Sequence, residues 1–349
     1  MREFQITKTD AGRRLDRYLS AILPQAGSGF LYKMLRKKNI TLNGRKASGP
    51  ELLSEGDVIT IWFSEDTFAK FSGRRSAAEE HSAAVPDRAG GMLPLKVLYE
   101  DDDILVIDKP AGLLSQKAAS NDVSVNELLA EHLGTDRNDA SQAFRPAACH
   151  RLDRNTTGVL VCGKSYRGLK EMTELIRTRE VKKEYLCLVR GCPEAQKFTL
   201  RDMLVKDETA NTVHVESSGT CLASGSAEDT AAAASHAEAK EAVLSAEVLA
   251  SAGGVSLLKV LLETGRSHQI RVQLAHAGYP LLGDIKYGAE KMCGVKALPM
   301  EKKIRRPMLH AYALTIPGPA GTVTAPVPSD MRKIMKGAGI LWPPGTAED

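Results

Sequence analysis

Apolar positions recur along this chain with two periods, and the change from one to the other marks its organisation. Leu15, Tyr18, Leu19, Ile22 and Leu23 fall at i, i+3, i+4, i+7 and i+8, which predicts an amphipathic helix over 14–23 that stops near Pro24. Phe30, Leu31, Met34 and Leu35 supply the apolar face of a second helix, on which Lys33, Arg36 and Lys37 share a different face. Ile40-Thr41-Leu42 then reads as a strand, Asn43-Gly44 as a tight turn and Arg45-Lys46 as a basic return, with another strand over 58–63. Further on, alternation and short apolar runs predict strands at 95–98, 104–107, 159–161, 185–189, 213–215, 243–249 and 255–262. Helices are expected over 123–132 and 166–178, the latter with Leu169, Met172, Leu175 and Ile176 on one side. Ser251-Ala252-Gly253-Gly254 breaks the last strand pair into a hairpin whose second strand should deliver Arg266 to Arg271. Many strands with few helices predict a mixed, mainly antiparallel sheet.

Two stretches carry neither period. Ser64 to Gly91 is rich in Ser, Ala, Gly, Glu and Arg and reads as a flexible linker, and 217–240, with Ala231 to Ala234, reads as a mobile loop. The organisation expected is therefore a small domain over 1–64, a linker over 65–91 and a larger domain over 92–340, interrupted by the 217–240 loop. A chain of 349 residues with 43% hydrophobic content has room for both cores.

Charge is distributed unevenly. The whole chain carries +4, whereas residues 1–64 hold eleven Lys or Arg against six Asp or Glu. One charged helix face is usually a solvated face, but here a basic turn accompanies it, so Lys33, Arg36, Lys37, Arg45 and Lys46 are candidate contacts to the phosphates of a polyanion. No apolar run reaches the roughly 18–20 residues of a membrane span, and Met1-Arg2-Glu3-Phe4 lacks a signal-peptide core. A cytoplasmic protein with no membrane role is expected. Cysteines 149, 162, 187, 192, 221 and 293 include no C-x-x-C pair, which fits reduced thiols and neither a disulfide framework nor a metal site. Cys149 is read as a packing residue.

The densest chemistry lies in His150-Arg151-Leu152-Asp153-Arg154-Asn155-Thr156-Thr157-Gly158, a polar loop ahead of the apolar run Val159 to Cys162. Arg151 and Arg154 offer positive charge that would keep Asp153 ionised, an effect of about 1–3 pKa units for a close opposite charge. A fixed carboxylate is a nucleophile or base, and guanidiniums suit phosphate. An overlapping pattern competes. Gly158 to Ser165 satisfies G-x-x-x-x-G-K-S, and Ile104 to Asp108 looks like a strand ending in a magnesium ligand. A P-loop nucleotide hydrolase needs a strand before its first glycine, however, and here the residues between the glycines are themselves the strand.

The nonapeptide resembles the HRLD signature of the RluA/RluC/RluD-type RNA pseudouridine synthases. Further segments look like that family's motifs in the same order: Asp103 to Leu113, Lys183-Glu184-Tyr185-Leu186, Thr264 to Val272, and Gly278 to Gly288. Thr157 replaces the usual serine, and Gln273 stands where histidine is common, a change expected to bear on packing or substrate contact. The order helix, basic helix, Asn-Gly-Arg turn and strand in 1–64 resembles the αL RNA-binding domain of the ribosomal protein S-four type. The resemblance implies an RNA pseudouridine synthase with the α+β fold of that family, a chemistry that needs no cofactor, and ribosomal RNA as its substrate; no obligate protein partner is evident. It implies Asp153 as the essential aspartate, attacking the anomeric carbon, adding to carbon 6 or removing the 2′ proton. Arg271 would pair with Asp153, Tyr185 would stack on the target ring, and Arg151 would fill the space the flipped uridine vacates. His150 and His268 are read as packing or backbone-bonding residues. A non-catalytic rRNA-binding protein on the same scaffold is the alternative from another class.

Overall fold

The computed structural model describes residues 1–72, 94–119, 122–135, 143–216, 238–288, 301 and 304–341. By its internal contacts the chain divides into two units: Met1–Ile107, Leu114–Arg151 and Leu160–Leu175 form the first, and Asp108–Leu113, Leu152–Val159 and Ile176–Asp349 the second.

The first unit opens with β1 (Arg2–Gln5), α1 (Leu15–Ile22), α2 (Ser28–Arg36), β2 (Ile40–Leu42), β3 (Arg45–Lys46) and β4 (Val58–Ile61), its four strands ordered β1-β4-β2-β3. The periodicity that predicts α1 is the periodicity of its burial, since Leu15, Tyr18, Leu19 and Ile22 are all buried. Asn43 and Gly44 both have positive φ, 51° and 69°, as the two-residue turn between β2 and β3 demands. β1 and the helix that follows β4 lie outside the sequence reading. That helix, α3 (Glu65–Ser72), corrects the linker boundary. Ser64 Oγ accepts the Thr67 N–H at 3.3 Å, Phe68 is buried and stacks on Phe4, and Phe71 meets Phe30 at 4.4 Å between ring centroids. Two aromatics three residues apart outweigh the polar composition around them. Residues 73–91 of the expected linker lie outside the described residues.

Next in the chain come β5 (Val97–Glu100), β6 (Ile104–Lys109), α4 (Val125–His132), β7 (Ala147–Ala148), β8 (Thr157–Gly163) and α5 (Tyr166–Arg177). All seven residues of β8 are buried, so the stretch between the two glycines is a core strand, not a loop that could cradle phosphate. The Lys164 ammonium bonds Glu100 Oε1 at 2.5 Å and the Asp101 carbonyl at 2.7 Å, and Ser165 Oγ donates to Asp103 Oδ1 at 2.5 Å. The side chains a P-loop would aim at phosphate and magnesium hold local structure instead.

The second unit contains β9 (Lys182–Arg190), β10 (Lys197–Asp207), β11 (Thr212–Val215), β12 (Lys240–Ala252), β13 (Val255–Leu262), α6 (Gln269–His276), β14 (Leu309–Ile316), β15 (Gly321–Thr324) and α7 (Ser329–Ala338). Its strands run β11-β10-β12-β13-β9-β14, each antiparallel to the next, with β15 on β14. The start of β8 adds a parallel pairing, Thr157 with His310 and Gly158 with Ala311. The α+β class with a mainly antiparallel sheet is thus the observed one. Met331 and Met335 of α7 pack into a core with Leu188 and Leu257, while Val272 of α6 packs with Leu204, Val213 and Ala242. The predicted 251–254 hairpin is present, closed by Gly253 and Gly254 at φ 60° and 75°. Its second strand, however, ends at Leu262, and Arg271 stands on a helix rather than at a strand end. Of the expected 217–240 loop, residues 217–237 lie outside the described residues. Among the described residues no helix is long and apolar enough to cross a membrane.

Candidate active site

The segment from Thr264 to Gln273 is shaped by three buried polar side chains. Thr264 Oγ1 accepts the Val243 N–H at 2.9 Å and donates to Gln269 Oε1 at 2.8 Å, which also accepts the Arg266 N–H at 3.0 Å. Gln269 Nε2 in turn donates to the Val243 carbonyl and to Gln273 Oε1, and Gln273 Nε2 donates to Asp202 Oδ2 at 2.7 Å and to the Ala242 carbonyl. Buried amides of this kind persist only when satisfied. These bonds end the strand direction, tie α6 to β10 and β12, and set Arg271 in the first turn of the helix. Gln273, the departure from histidine, has a packing role here.

Arg271 is the hub of the site. Its Nε and Nη2 form a two-pronged bridge to Asp284 at 2.7 and 2.8 Å, and Nη1 donates to Asp153 Oδ2 at 2.9 Å. Side-chain exposure rises outward along this chain, from 0% at Asp284 to 10% at Arg271 and 29% at Asp153. Asp153 is thus the carboxylate that a substrate can reach. Asp284 Oδ1 also accepts the backbone N–H groups of Lys286 and Tyr287 at 3.0 and 3.1 Å, so one buried carboxylate fixes both its own turn and the guanidinium. Burial works against the charge on Arg271, but bonding to Asp284 and the charges of Asp284 and Asp153 raise its pKa above the ordinary arginine range. The Tyr287 ring lies under Arg271, 5.2 Å from Cζ to centroid.

The loop that bears Asp153 is held from both sides. Lys109, wholly buried, donates to the carbonyls of Pro110, Leu113 and Arg154 at 2.9, 2.8 and 3.1 Å. Burial pulls its pKa down to about 7 while the charge of Asp153 pulls back. Three acceptors require all three ammonium protons, so the charged form is the one that ties this loop down. Thr157 keeps the hydroxyl of the serine it replaces, within 2.9 Å of buried His310 Nδ1. Gly158 has φ 109°, and a Cβ there would overlap the Ala311 carbonyl, so the second position of β8 is glycine by necessity. Tyr185, on β9, is buried, and first burial and then the charge of Asp153 keep its phenol protonated far above its ordinary range.

The structure therefore brings Asp153 and Arg271 into contact and places Tyr185 within reach of the charge on Asp153. Arg151 is exposed and belongs to the first unit. Lys33 and Arg36 lie on the last turn of α2, Lys37 caps it, and Arg45 and Lys46 form β3; all five side chains are exposed and make no hydrogen bond or ion pair among the described residues. His150 accepts the Val161 N–H at 3.4 Å, a backbone-bonding role as expected. Cys149 is half-buried, and burial pushes its thiol up to about 12. Sequence reasoning assigned no role to Lys109, Asp284, Tyr287 or His310. The first three sit inside the two flanking motifs, and their signal was an ionisable or phenolic residue within an otherwise apolar or glycine-bounded segment. His310 lay in no motif.

Residues 103–276 match the model of the RNA pseudouridylate synthase family. The chain belongs to that family. As a pseudouridine synthase its substrate class is RNA. It is 27% identical over 348 residues to an uncharacterised RNA pseudouridine synthase of Chlorobaculum parvum, covering 95% of each chain. Ribosomal large subunit pseudouridine synthase D of Xanthomonas campestris pv. campestris is 29% identical over 352 residues, covering 96% of this chain and 92% of the relative. Among solved structures, human RNA Pseudouridylate Synthase Domain Containing 4 has the same fold, with a TM-score of 0.56 and 24% identity over 71% of this chain and 94% of its own.

Proposed function

We propose that this synthase converts specific uridines of large-subunit ribosomal RNA to pseudouridine, with Asp153 as the reacting carboxylate, Arg271 as its positioning partner and Tyr185 as the platform for the target ring. The observation that carries the reading is the graded chain Asp284, Arg271, Asp153, in which a buried carboxylate locks a guanidinium that presents a second, accessible carboxylate. Isomerisation breaks the bond from ribose C1′ to uracil N1 and forms one from C1′ to C5, with a proton lost at C5 and one gained at N1. No electrons leave the substrate, so a carboxylate with a fixed orientation and a base platform supply the chemistry such a step needs. Stacking on an aromatic such as Tyr185 contributes about 1–3 kcal/mol and offsets the few kcal/mol lost when a base leaves its stack. Large-subunit rRNA is favoured by the likeness to the ribosomal large subunit pseudouridine synthase D of Xanthomonas. We read 1–64 as the αL-type RNA-binding domain, with Lys33, Arg36, Lys37, Arg45 and Lys46 on phosphate and Arg151 in the space left by the flipped base.

The test is tritium release from rRNA transcripts labelled at uridine C5, with RNA binding measured in parallel. Asp153→Asn keeps shape and loses charge, and should fold and bind RNA yet release no tritium. Substantial turnover by that folded variant would remove Asp153 from the reaction, and binding without turnover by the wild type on every RNA would favour a non-catalytic rRNA binder.

A further inference from the structure

His268 has a backbone conformation that its place in the fold does not call for. Its φ and ψ are 52° and 17°, left-handed, at the N-cap of α6, where it makes no side-chain capping bond. The other non-glycine residues with positive φ, Lys38, Asn43, Arg179 and Asn211, follow helices or close hairpins. Left-handed backbone costs a side chain about 1–2 kcal/mol, and such strain marks a position fixed for its side chain.

What the conformation achieves is a single ring placement. His268 Nδ1 lies 2.9 Å from the Tyr287 hydroxyl, and that oxygen already accepts the Val213 N–H at 2.8 Å. Among the described residues Nδ1 is the acceptor within reach of the phenol proton, and the tautomer that satisfies both groups carries the proton of the neutral imidazole on Nε2. Nε2 has no hydrogen-bond partner among the described residues, and the ring is half-buried rather than sealed. His268 and Arg271 both border the Tyr287 ring, at 5.6 Å between ring centroids for the histidine and 5.2 Å from the guanidinium carbon. The charged groups around it are Asp153, Arg271, Lys286 and Asp284. Burial chiefly, with Arg271 and Lys286, holds the imidazole neutral, and the two aspartates oppose them.

We propose that His268 is a further catalytic residue, which donates through Nε2–H to a carbonyl of the target uracil while that ring is detached from the ribose. This rests on the pseudouridine synthase activity proposed above. When the C1′–N1 bond breaks, the bonding pair stays on uracil and its negative charge spreads onto the ring carbonyls. A neutral donor at a fixed position stabilises that charge without handing over its proton, so the ring is retained for C5 to rejoin C1′ rather than released. Removing one such fixed donor typically costs about 10²–10³-fold in rate.

The experiment compares His268→Gln, whose amide N–H reaches the place of Nε2, with His268→Asn, which accepts left-handed backbone but reaches only the place of Nδ1. Single-turnover pseudouridine formation, RNA affinity and thermal unfolding are measured for both and for wild type. The expected result is a loss of about 10²-fold in single-turnover rate for His268→Asn at nearly unchanged RNA affinity and melting temperature, with at least tenfold recovered by His268→Gln. Wild-type rates in His268→Asn, or equal losses in both variants with matching falls in melting temperature, would overturn the role while the wild-type activity stood. A wild type that forms no pseudouridine would overturn the functional reading and this inference with it.

Discussion

Asp284 gathers four donors on one fully buried carboxylate, and that makes it the residue on which the geometry of Arg271 depends. Asp284→Asn keeps the shape but turns one acceptor into a donor facing a guanidinium. Breaking a buried pair from one side typically costs about 3–5 kcal/mol, because the remaining charge stays buried. Urea unfolding should register a loss of that order together with slower tritium release, and an unchanged midpoint would show that Arg271 is held some other way. Arg271→Lys is gentler on charge but not on geometry. A positive partner for Asp153 remains, so some activity should persist, yet an ammonium cannot make the two-pronged bridge, and the variant should melt below wild type. Asp153 stood out in the sequence because a carboxylate between two arginines is chemically unusual, whereas Arg271 and Tyr185 were named only through the family motifs that carry them; the contact between Arg271 and Asp153 agrees with the pairing those motifs imply. Asp284 was not assigned, since nothing in Gly283-Asp284-Ile285-Lys286 states that its partner lies thirteen residues upstream on α6.

At the level of elements, the parallel contact between β8 and β14 rests on Thr157, Gly158, His310 and Ala311. His310 is wholly buried, and its Nε2 lies 3.3 Å from the Ala325 carbonyl, so Nε2–H donates there and Nδ1 accepts from Thr157. Burial lowers its pKa from 6.5 to about 4. Between those values the unfolded chain binds a proton that the folded chain refuses. The stability His310 allows is therefore complete above pH 6.5 and lost as pH falls toward 4, by on the order of 3 kcal/mol. His310→Gln, which does not titrate, should show a shallower decline over that interval in urea unfolding; parallel curves would mean the imidazole is not buried neutral. α3 makes a second test. Phe68 is 1% exposed, and Phe68→Ala should cost about 3–5 kcal/mol if that helix belongs to the core of the N-terminal module, against almost nothing if 65–72 behaves as linker. Two of the strands that periodicity missed, β10 and β14, share a cause. β10 alternates properly but places Asp202 on its inward side, where Gln273 satisfies it, and β14 carries His310 in its core; each polar residue interrupts the apolar pattern for a reason found only in a distant partner.

For the molecule as a whole, the question is how the charge of residues 1–64 acts on a polyanion. Lys33, Arg36, Lys37, Arg45 and Lys46 make no internal ion pairs among the described residues, so replacing them leaves no buried carboxylate unpaired and the module's core untouched. Charge alone is then under test. Each phosphate neutralised releases counterions and steepens the fall of log affinity with log salt, by about 0.7 for single strands and 0.9 for duplex. A variant with all five replaced by Gln should bind rRNA transcripts more weakly at low salt, with a slope shallower by up to about 3.5–4.5, and should approach wild type as salt rises. The reacting groups Asp153, Arg271 and Tyr185 are unaltered in this variant, so its single-turnover rate at saturating RNA should stay near that of wild type while the RNA concentration needed for saturation rises. Filter binding over a salt series, run beside the tritium assay, separates the two quantities. An unchanged slope would mean these side chains face water in the complex as well as out of it, and the contacts to phosphate would then have to come from arginines near the catalytic loop, Arg151 first among them.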